Sequence, residues 1–166
     1  MDGQSLEAES STLEALRSRI ARLEDERAIL DTLHRYGQTI DDGLDQAWAE
    51  LFTEDGVFLC VDRFGTVILH EQGREALAQW MRDFRAGESL LMKHCVLAPV
   101  IAITGDTAEV VSQYANLVEN EDRYGPPGIR FTGRYRDEMV KDAEGQWRFR
   151  QRISQTDAPL VNPRTD

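Results

Sequence analysis

The sequence predicts an α+β fold in which helices come first and a mostly antiparallel sheet follows. Up to Phe52, apolar residues recur every three or four positions, which is typical of amphipathic helices. From Leu91 onward, apolar and polar residues alternate in long runs separated by turns, which is typical of antiparallel strands. A chain of 166 residues, 41% of them apolar, has the size and the apolar content of one domain.

The first predicted helix is long and carries an apolar stripe. Residues 1–11 are polar and acidic without periodicity, so we expect a mobile tail there, and Ser11 or Thr12 offers an N-cap. A break near Asp25 is left open. The part of the stripe before Asp25 resembles a heptad pattern and needs an apolar partner, for which another subunit is a candidate. The stripe consists of Leu13, Leu16, Ile20, Leu23, Ile29, Leu30, Leu33, Tyr36 and Ile40.

After this helix, the sequence predicts two further helices and six strands. The predicted strands are rich in β-branched and aromatic residues, and the hairpin turns contain glycine, as in DAEG at 142–145. The segment NEDRYGPPG at 120–128 is predicted to be a loop because of its proline, glycine and charge content. The helices are expected at 44–52 and 73–85, and the strands at 56–62, 66–70, 91–103, 107–118, 129–141 and 146–156.

Composition limits the classes of partner. The 30 acidic and 19 basic side chains give a net charge of -11, which disfavours nucleic acid and anionic membrane as partners. No apolar run approaches the roughly 20 residues of a membrane helix, and the start MDGQSLEAESS lacks the regions of a signal peptide, so we expect a cytoplasmic protein. Cys60 and Cys95 form no CxxC pair, and we expect both to be small buried apolar side chains.

The sequence predicts no metal and no cofactor. His34 and His70 have no metal-ligand spacing with any cysteine, aspartate or glutamate, and no HExxH pattern occurs. The glycines form neither a phosphate-binding loop nor a dinucleotide-binding pattern, and there is no GxSxG serine. The candidates for chemistry are individual side chains that can act as an acid or a base.

Asp41 is the first candidate for such chemistry. It closes an apolar helix, where the helix dipole does not favour a carboxylate, so another group has to hold it there. The alternative is that Asp41-Asp42-Gly43 is only a polar helix stop. Tyr36 lies five residues earlier and shares a pocket with Asp41 only if the helix ends near Ile40. For Tyr36, a core tyrosine with a satisfied hydroxyl is the alternative.

His94 and Arg152 lie on predicted strands. Alternation places His94 on one face with the apolar residues Met92, Val96, Ala98 and Val100, and a buried histidine needs a partner. That partner is either backbone, in a structural role, or a carboxylate such as Asp41 that orients the ring as a general base.

Arg152 has the parity of Arg148 and Arg150, for which a solvated basic face is the simpler interpretation. A bulge or the curvature of the sheet could turn Arg152 towards the mouth of a cavity.

Three stretches together resemble the SnoaL-like branch of the nuclear-transport-factor-2-like superfamily. They are RAILDTLHRYGQTIDDGLDQAWAELFTEDGVF, KHCVLAPVIAITGDTAEV and GRYRDEMVKDAEGQWRFRQRIS, and the resemblance covers roughly residues 20–156. It implies a cone-shaped curved sheet that wraps around a pocket and is closed by N-terminal helices. A single domain at 12–156 would then lie between tails at 1–11 and 157–166, and homo-oligomers, trimers before dimers, are expected.

The resemblance also implies an activity. The most similar patterns are those of scytalone dehydratase, bile-acid 7α-dehydratase and hexachlorocyclohexane dehydrochlorinase, which carry out eliminations without a cofactor. In this group an aspartate that closes the first helix pairs with a histidine on a central strand, and these positions fall on Asp41 and His94. The tyrosine of the bile-acid enzyme falls on Tyr36, and the arginine of the last strand falls on Arg152 in WRFRQR. A further histidine of scytalone dehydratase has no counterpart in this sequence.

The expected function is therefore that of a cofactor-independent lyase of the dehydratase type. Its substrate would be a hydrophobic, ring-containing hydroxylated small molecule. Isomerisation, or carbon–carbon cleavage that releases an aldehyde, uses the same pair and stays open. A non-catalytic β subunit of a ring-hydroxylating dioxygenase, on the same fold, is the alternative from another class.

Overall fold

The computed structural model describes residues 2–87, 91–120 and 125–157, with side chains from residue 9 onward. Within these ranges it contains three helices and six strands. Parts of the predicted loop at 120–128 and of the predicted tail at 157–166 lie outside the described residues. The elements are α1 (Asp2–Asp41), α2 (Asp45–Ala49), β1 (Phe52–Val61), β2 (Val67–Gln72), α3 (Arg74–Gly87), β3 (Met92–Thr104), β4 (Thr107–Val118), β5 (Gly128–Lys141) and β6 (Trp147–Thr156).

Helix α1 is longer than the sequence pattern predicts. It begins at Asp2 rather than after Ser11 or Thr12, and it continues past Asp25 without a break. The added residues include alanine, glutamate, leucine and glutamine, which are good helix formers, so helix forms there without an apolar stripe. The stripe itself divides in two, because its first part stays exposed and its second part enters the core. The exposed residues are Leu13, Leu16, Ile20 and Leu23, and the buried ones are Ile29, Leu33, Tyr36 and Ile40.

The strands form one mixed sheet in the order β2-β1-β6-β5-β4-β3. All neighbouring strands are antiparallel except β1 and β6, which are parallel. The hairpins follow from the turns in the sequence, whereas the parallel pairing of β1 with β6 was not predicted. The sheet is curved and does not close, so β2 and β3 remain its edges. The predicted α+β cone is confirmed.

The core lies between the inner face of the sheet and the helices. Within it, the ring of Trp48 contacts those of Phe52 and Phe58, with centroids 5.0 Å and 5.6 Å away. The ring of Phe149 lies 5.1 Å from that of Phe52 and extends the cluster to β6. Such aromatic contacts add to the stabilisation that burial of apolar area provides. This packing holds α2 against the strands and adjoins the site described below, whose wall also contains Phe58.

Two bulges change which side chains face inward. In β3 the register shifts between Leu97 and Val100, where Ala98 has a φ of 47°, and Val100 is 72% exposed. The prediction that Ala98 and Val100 share the face of His94 is therefore wrong, because strict alternation fails across a bulge. In the β5–β6 pairing the register shifts beside Arg150, so the inward parity of β6 changes between Phe149 and Arg152.

No helix in the described parts of the chain is long and apolar enough to span a membrane.

Candidate functional site

A cavity of about 170 Å³ lies between the inner face of the sheet, α1 and α3. Every described element except α2 contributes to its wall. Its size is comparable to that of an engineered apolar cavity of about 150 Å³ that binds benzene. The rings in the wall include those of Phe58, Trp80, Phe84, Tyr114, Phe131 and Tyr135. The cavity therefore has the size and the lining of a site for a small ring compound.

The structure brings Asp41 and His94 into contact. Asp41 lies at the end of α1 and His94 in β3, and the Asp41 Oδ1 atom is 2.8 Å from the His94 Nδ1 atom. Both side chains are only 8% exposed. His94 lines the cavity, whereas Asp41 lies behind the imidazole. The His94 ring thus lies between the Asp41 carboxylate and the cavity.

The contact determines the tautomer of His94. A carboxylate only accepts hydrogen bonds, so Nδ1 carries the hydrogen and donates it to Asp41. In the neutral ring the unprotonated nitrogen is then Nε2. Among the described residues, the hydrogen bonds of the His94 side chain all go to Asp41, so Nε2 is available to a ligand. This is the geometry of a general base held by an orienting carboxylate.

Additional contacts explain why a carboxylate is stable at the end of α1. The backbone N–H of His94 donates to both carboxylate oxygens of Asp41, at 3.0 Å and 3.3 Å. The ammonium group of Lys93 lies 3.7 Å from Asp41 Oδ2. These donors offset the unfavourable position of the carboxylate relative to the helix dipole. The sequence predicted that another group holds Asp41, and β3 supplies it.

Gly37 permits the close approach of α1 to β3. A Cβ atom at Gly37 would lie 2.6 Å from the backbone oxygen of His94, which is closer than any normal contact. Gly37 precedes Asp41 by about one helical turn, so both residues face β3. The missing side chain thus lets the Asp41 carboxylate reach the His94 ring. Sequence reasoning missed Gly37, because a glycine within a helix does not reveal which strand it contacts.

Tyr36 lies in the wall of the same cavity. It is buried, and its ring contacts those of Trp48, Tyr135 and Phe149 at centroid distances of 5.6 Å to 5.9 Å. Burial raises the pKa of the Tyr36 phenol well above its usual value, while the charge of Arg152 opposes part of that shift. The phenol therefore stays protonated and can donate a hydrogen bond. The structure brings Tyr36 and His94 to one cavity, with Asp41 behind it.

Arg152 is placed differently from the sequence expectation. The interpretation of Arg152 as part of a solvated basic face is wrong, because its side chain is fully buried. A bulge is present, but it turns Arg152 into the core rather than towards the cavity mouth, and Arg152 does not line the cavity. Its guanidinium carbon lies 3.9 Å from the centroid of the Tyr36 ring and 4.0 Å from that of Tyr135. Two hydrogen bonds, of 2.8 Å and 2.9 Å, join it to the carboxylate of Asp137. Arg152 thus packs against the rings of Tyr36 and Tyr135, which line the cavity and form its aromatic floor.

The buried pair of Arg152 and Asp137 is electrostatically balanced. Burial raises the pKa of the Asp137 carboxyl, and the guanidinium offsets part of that rise. Burial alone would lower the pKa of Arg152, but Asp137 and the nearby phenols raise it by more. Both side chains have no exposure. A bidentate pair of this kind carries no net charge towards the cavity.

Asn116 is a cavity residue that sequence reasoning missed. It lies in β4 directly opposite His94 in the β3–β4 register, is 8% exposed and lines the cavity. Its Oδ1 atom is buried without a hydrogen-bond partner among the described residues. The signal available in the sequence was its parity with Tyr114 on an alternating strand, which places a polar amide on the inner face.

The two cysteines are both free, and both are partly rather than fully buried. Cys60 lines the cavity, and burial raises the pKa of its thiol to about 12, so it remains protonated at neutral pH. Within the described parts of the chain, no group of three or more histidine, cysteine, aspartate or glutamate side chains could hold a metal ion.

The fold and the site define a class of protein: an α+β cone with a ring-sized cavity and a histidine oriented by a carboxylate. A family model described as a SnoaL-like domain matches residues 21–153. The chain therefore belongs to the SnoaL-like family, in the nuclear-transport-factor-2-like superfamily. No curated protein is similar enough in sequence to match it.

Solved structures share the fold. A protein from Novosphingobium aromaticivorans described as NTF2-like with a cystatin-like fold has 25% sequence identity and a TM-score of 0.76, over 92% of this chain and 92% of that chain. A protein of the same organism, assigned as the β subunit of an aromatic-ring-hydroxylating dioxygenase, has 22% identity and a TM-score of 0.72, over 86% and 94%. ActVI-ORFA from Streptomyces coelicolor has 20% identity and a TM-score of 0.69, over 80% and 97%.

Proposed function

We propose that this protein is a cofactor-independent lyase of the dehydratase type that acts on a hydrophobic, ring-containing hydroxylated small molecule. The observation that carries the proposal is the 2.8 Å contact between Asp41 and His94, with the His94 ring facing the cavity. A ligand-binding module has no need of a buried imidazole oriented by a carboxylate, whereas proton abstraction does.

The proposed reaction begins at His94. Its Nε2 atom removes a proton from a carbon next to the one that carries the leaving hydroxyl, and Asp41 stabilises the imidazolium that forms. The electrons of the C–H bond form the new carbon–carbon double bond, and the C–O bond breaks. The imidazolium returns its proton to the departing hydroxyl, which leaves as water. The enzyme thereby regains its neutral histidine, and atoms and charge balance.

Tyr36 and Arg152 complete the proposal. The protonated Tyr36 hydroxyl would donate a hydrogen bond to the leaving hydroxyl or to a substrate carbonyl, where negative charge develops. Arg152 would act as a positioning residue, because its guanidinium lies over the Tyr36 ring and strengthens the phenol as a donor. The same parts would also serve isomerisation or an aldehyde-releasing carbon–carbon cleavage, since each starts with one proton removal.

The first experiment screens hydroxylated aromatic, polyketide and steroid compounds with the purified protein and follows products by mass spectrometry. Loss of water indicates elimination, an unchanged mass with a new retention time indicates isomerisation, and a released aldehyde indicates carbon–carbon cleavage. His94→Ala and Asp41→Asn should each lower turnover by about 10² to 10⁴, the usual contribution of general base catalysis.

Two exposed residues provide controls of the same residue types. His34 lies on α1 and Asp42 follows Asp41, and neither lines the cavity. His34→Ala and Asp42→Asn should leave turnover unchanged. Near-normal turnover in folded His94→Ala or Asp41→Asn protein would rule out the proposed mechanism.

The second candidate function is that of a non-catalytic dioxygenase β subunit. The similarity to the Novosphingobium aromaticivorans β subunit favours it, although 22% identity shows the fold alone. We propose instead a homo-oligomer, because α1 leaves Leu13, Leu16 and Ile20 exposed. The family resemblance favours a trimer before a dimer. Light scattering and an activity assay on the purified chain separate the two. A stable homo-oligomer that is active alone supports the enzyme. Activity that appears only in a complex with an iron-containing partner supports the subunit.

A further inference from the structure

We propose that the cavity selects an uncharged, one- or two-ring compound with a hydroxyl group, and that the Oδ1 atom of Asn116 accepts the hydrogen bond of that hydroxyl beside His94. This inference rests on the proposed function, because it names the substrate class of the same site. It starts from a buried polar atom without a partner and from the absence of charge in the described part of the cavity wall.

The side chain of Asn116 is the unexplained polar group of the cavity. Its Oδ1 atom is buried and has no partner among the residues that the structure describes, although buried polar atoms are nearly always hydrogen-bonded. The side chain lines the cavity and is 8% exposed. An acceptor left open in this way costs free energy in the empty protein, and a ligand donor would remove that cost.

The position of Asn116 places this acceptor next to the base. Asn116 and His94 are direct partners in the antiparallel β3–β4 pairing, and both side chains line the cavity. Directly opposed side chains in such a pair have Cβ atoms about 5 Å apart. A hydroxyl that donates to Asn116 therefore anchors the ring carbon atoms next to it close to the imidazole. The amide would thus determine which C–H bond meets Nε2.

The cavity offers no charge to a ligand. Among the described residues of its wall, none is lysine, arginine, aspartate or glutamate. Behind the wall, the buried charges of Arg152 and Asp137 neutralise each other. The Asp41 carboxylate lies behind the His94 ring and disfavours an anion in the cavity. Burial also raises the pKa values of the Cys60 thiol and of the Tyr36 phenol, so both stay neutral. A charged ligand would lose its hydration without gaining a counter-charge, so the site favours neutral molecules.

The aromatic side chains of α3 favour a ligand that contains a ring. The rings of Trp80 and Phe84 are stacked at 5.3 Å with an interplanar angle of 17°, and both line the cavity. The cavity volume of about 170 Å³ is close to that of a cavity that binds one aromatic ring, so the enclosed part of the ligand is expected to have one or two rings.

Three aromatic probes of nearly equal shape test the inference by titration calorimetry. They are 1-naphthol, 1-methylnaphthalene and 1-naphthoate, which carry a hydroxyl, a methyl and a charged carboxylate group at the same position. None can lose water, so binding is measured apart from turnover. The wild-type protein should bind 1-naphthol at least about tenfold more tightly than either of the other two, the ratio expected of one well-made hydrogen bond in a buried site.

Asn116→Leu, which is nearly isosteric, should reduce the preference for 1-naphthol over 1-methylnaphthalene to within about threefold, and Asn116→Ala should do the same if the leucine variant does not fold. Ser112→Ala is the matched control, because the Ser112 hydroxyl is also buried without a described partner but does not line the cavity. It should keep the full preference.

A preference that persists in both Asn116 variants, or 1-naphthoate binding as tight as that of 1-naphthol, would overturn the inference. Failure of the proposed function is a separate result: the hydroxyl preference would depend on Asn116 while no hydroxylated compound is turned over.

Discussion

At the scale of single residues, the site depends on a few side chains that each satisfy more than one contact. Asp41 accepts hydrogen bonds from the ring and from the backbone of His94, so one carboxylate both orients the imidazole and fixes the strand that carries it. Arg152 pairs with Asp137 and underlies the rings of Tyr36 and Tyr135. Changes at these positions should therefore alter geometry and stability together.

A prediction at this scale separates the buried arginine from its exposed neighbour. Arg152→Met leaves Asp137 buried without its partner and should reduce the free energy of unfolding by about 3–5 kcal/mol. Arg150→Met breaks only the exposed pair with Glu138 and should cost less than about 1 kcal/mol. Urea denaturation of the two variants measures both values. Equal costs would show that the Arg152 pair does not contribute as a buried ion pair.

At the scale of secondary-structure elements, the approach of α1 to β3 creates the site. The end of α1 supplies Asp41, β3 supplies His94, and Gly37 sets how closely the two elements pack. The bulge at Ala98 lies in the same strand beyond His94, so alternation holds at His94 and fails after it. The pair of Asp41 and His94, the dyad, is thus a contact between two elements rather than a local sequence motif.

Gly37→Ala tests this approach. The new Cβ would meet the carbonyl oxygen of His94, which is backbone and cannot move aside without shifting β3. Overpacking should cost about 1–3 kcal/mol of stability despite the better helix propensity of alanine. Turnover should fall by at least about tenfold, because a small displacement of catalytic groups is costly.

Gly87→Ala is the control for the same substitution at a helix end, where a Cβ meets nothing within 4 Å, and it should be close to neutral. Activity assays measure the effect of both variants on turnover, and thermal unfolding measures their effect on stability. Unimpaired turnover in Gly37→Ala would show that the dyad tolerates a wider spacing.

At the scale of the whole molecule, Asp25 anchors α1 to the hairpin formed by β5 and β6. Its Oδ1 atom accepts hydrogen bonds from Lys141 at 2.7 Å and from Trp147 at 2.9 Å, which joins the helix to β5 and β6. Asp25 lies where the exposed part of the α1 stripe ends and the buried part begins. The anchor thus holds the buried half of α1 over the sheet and so supports the cavity.

This anchor predicts a pH dependence of stability. The hydrogen bond from Lys141 lowers the pKa of Asp25. Burial opposes this shift, and the hydrogen bond from Trp147 adds to it, so the pKa is lowered overall. A lowered pKa stabilises the fold above the unfolded value of about 3.9, and the contribution is lost as the pH falls through the lower folded value. Asp25→Asn should therefore be less stable than the wild type at neutral pH, with a difference that shrinks towards zero in acid.

Asp31→Asn, on the same helix and exposed in a pair with Arg27, is the control and should change the pH profile little. Urea midpoints measured from pH 2 to pH 7 test the prediction. A stability difference between wild type and Asp25→Asn that does not vary with pH would contradict it.

Much of the fold could be predicted from the sequence. Turn residues and alternation located the strands to within a few residues, because hairpin signals are local. The sequence also singled out Asp41 as a carboxylate that needed a partner. The parallel pairing of β1 with β6 and the bulges could not be predicted, since neither depends on neighbouring residues alone. The start of α1 was also misplaced, because helix propensity there acts without an apolar pattern.

By itself, the sequence determined the kinds of elements, their order and the resemblance to the SnoaL-like family, because period and turn chemistry are properties of short segments. The tertiary structure alone decided the contact between Asp41 and His94, the inward turn of Arg152 and the pairing of Asn116 with His94. These depend on how closely a helix approaches a strand and on where a sheet changes register. Such distances are set by the packing of the whole chain, and no segment encodes them alone.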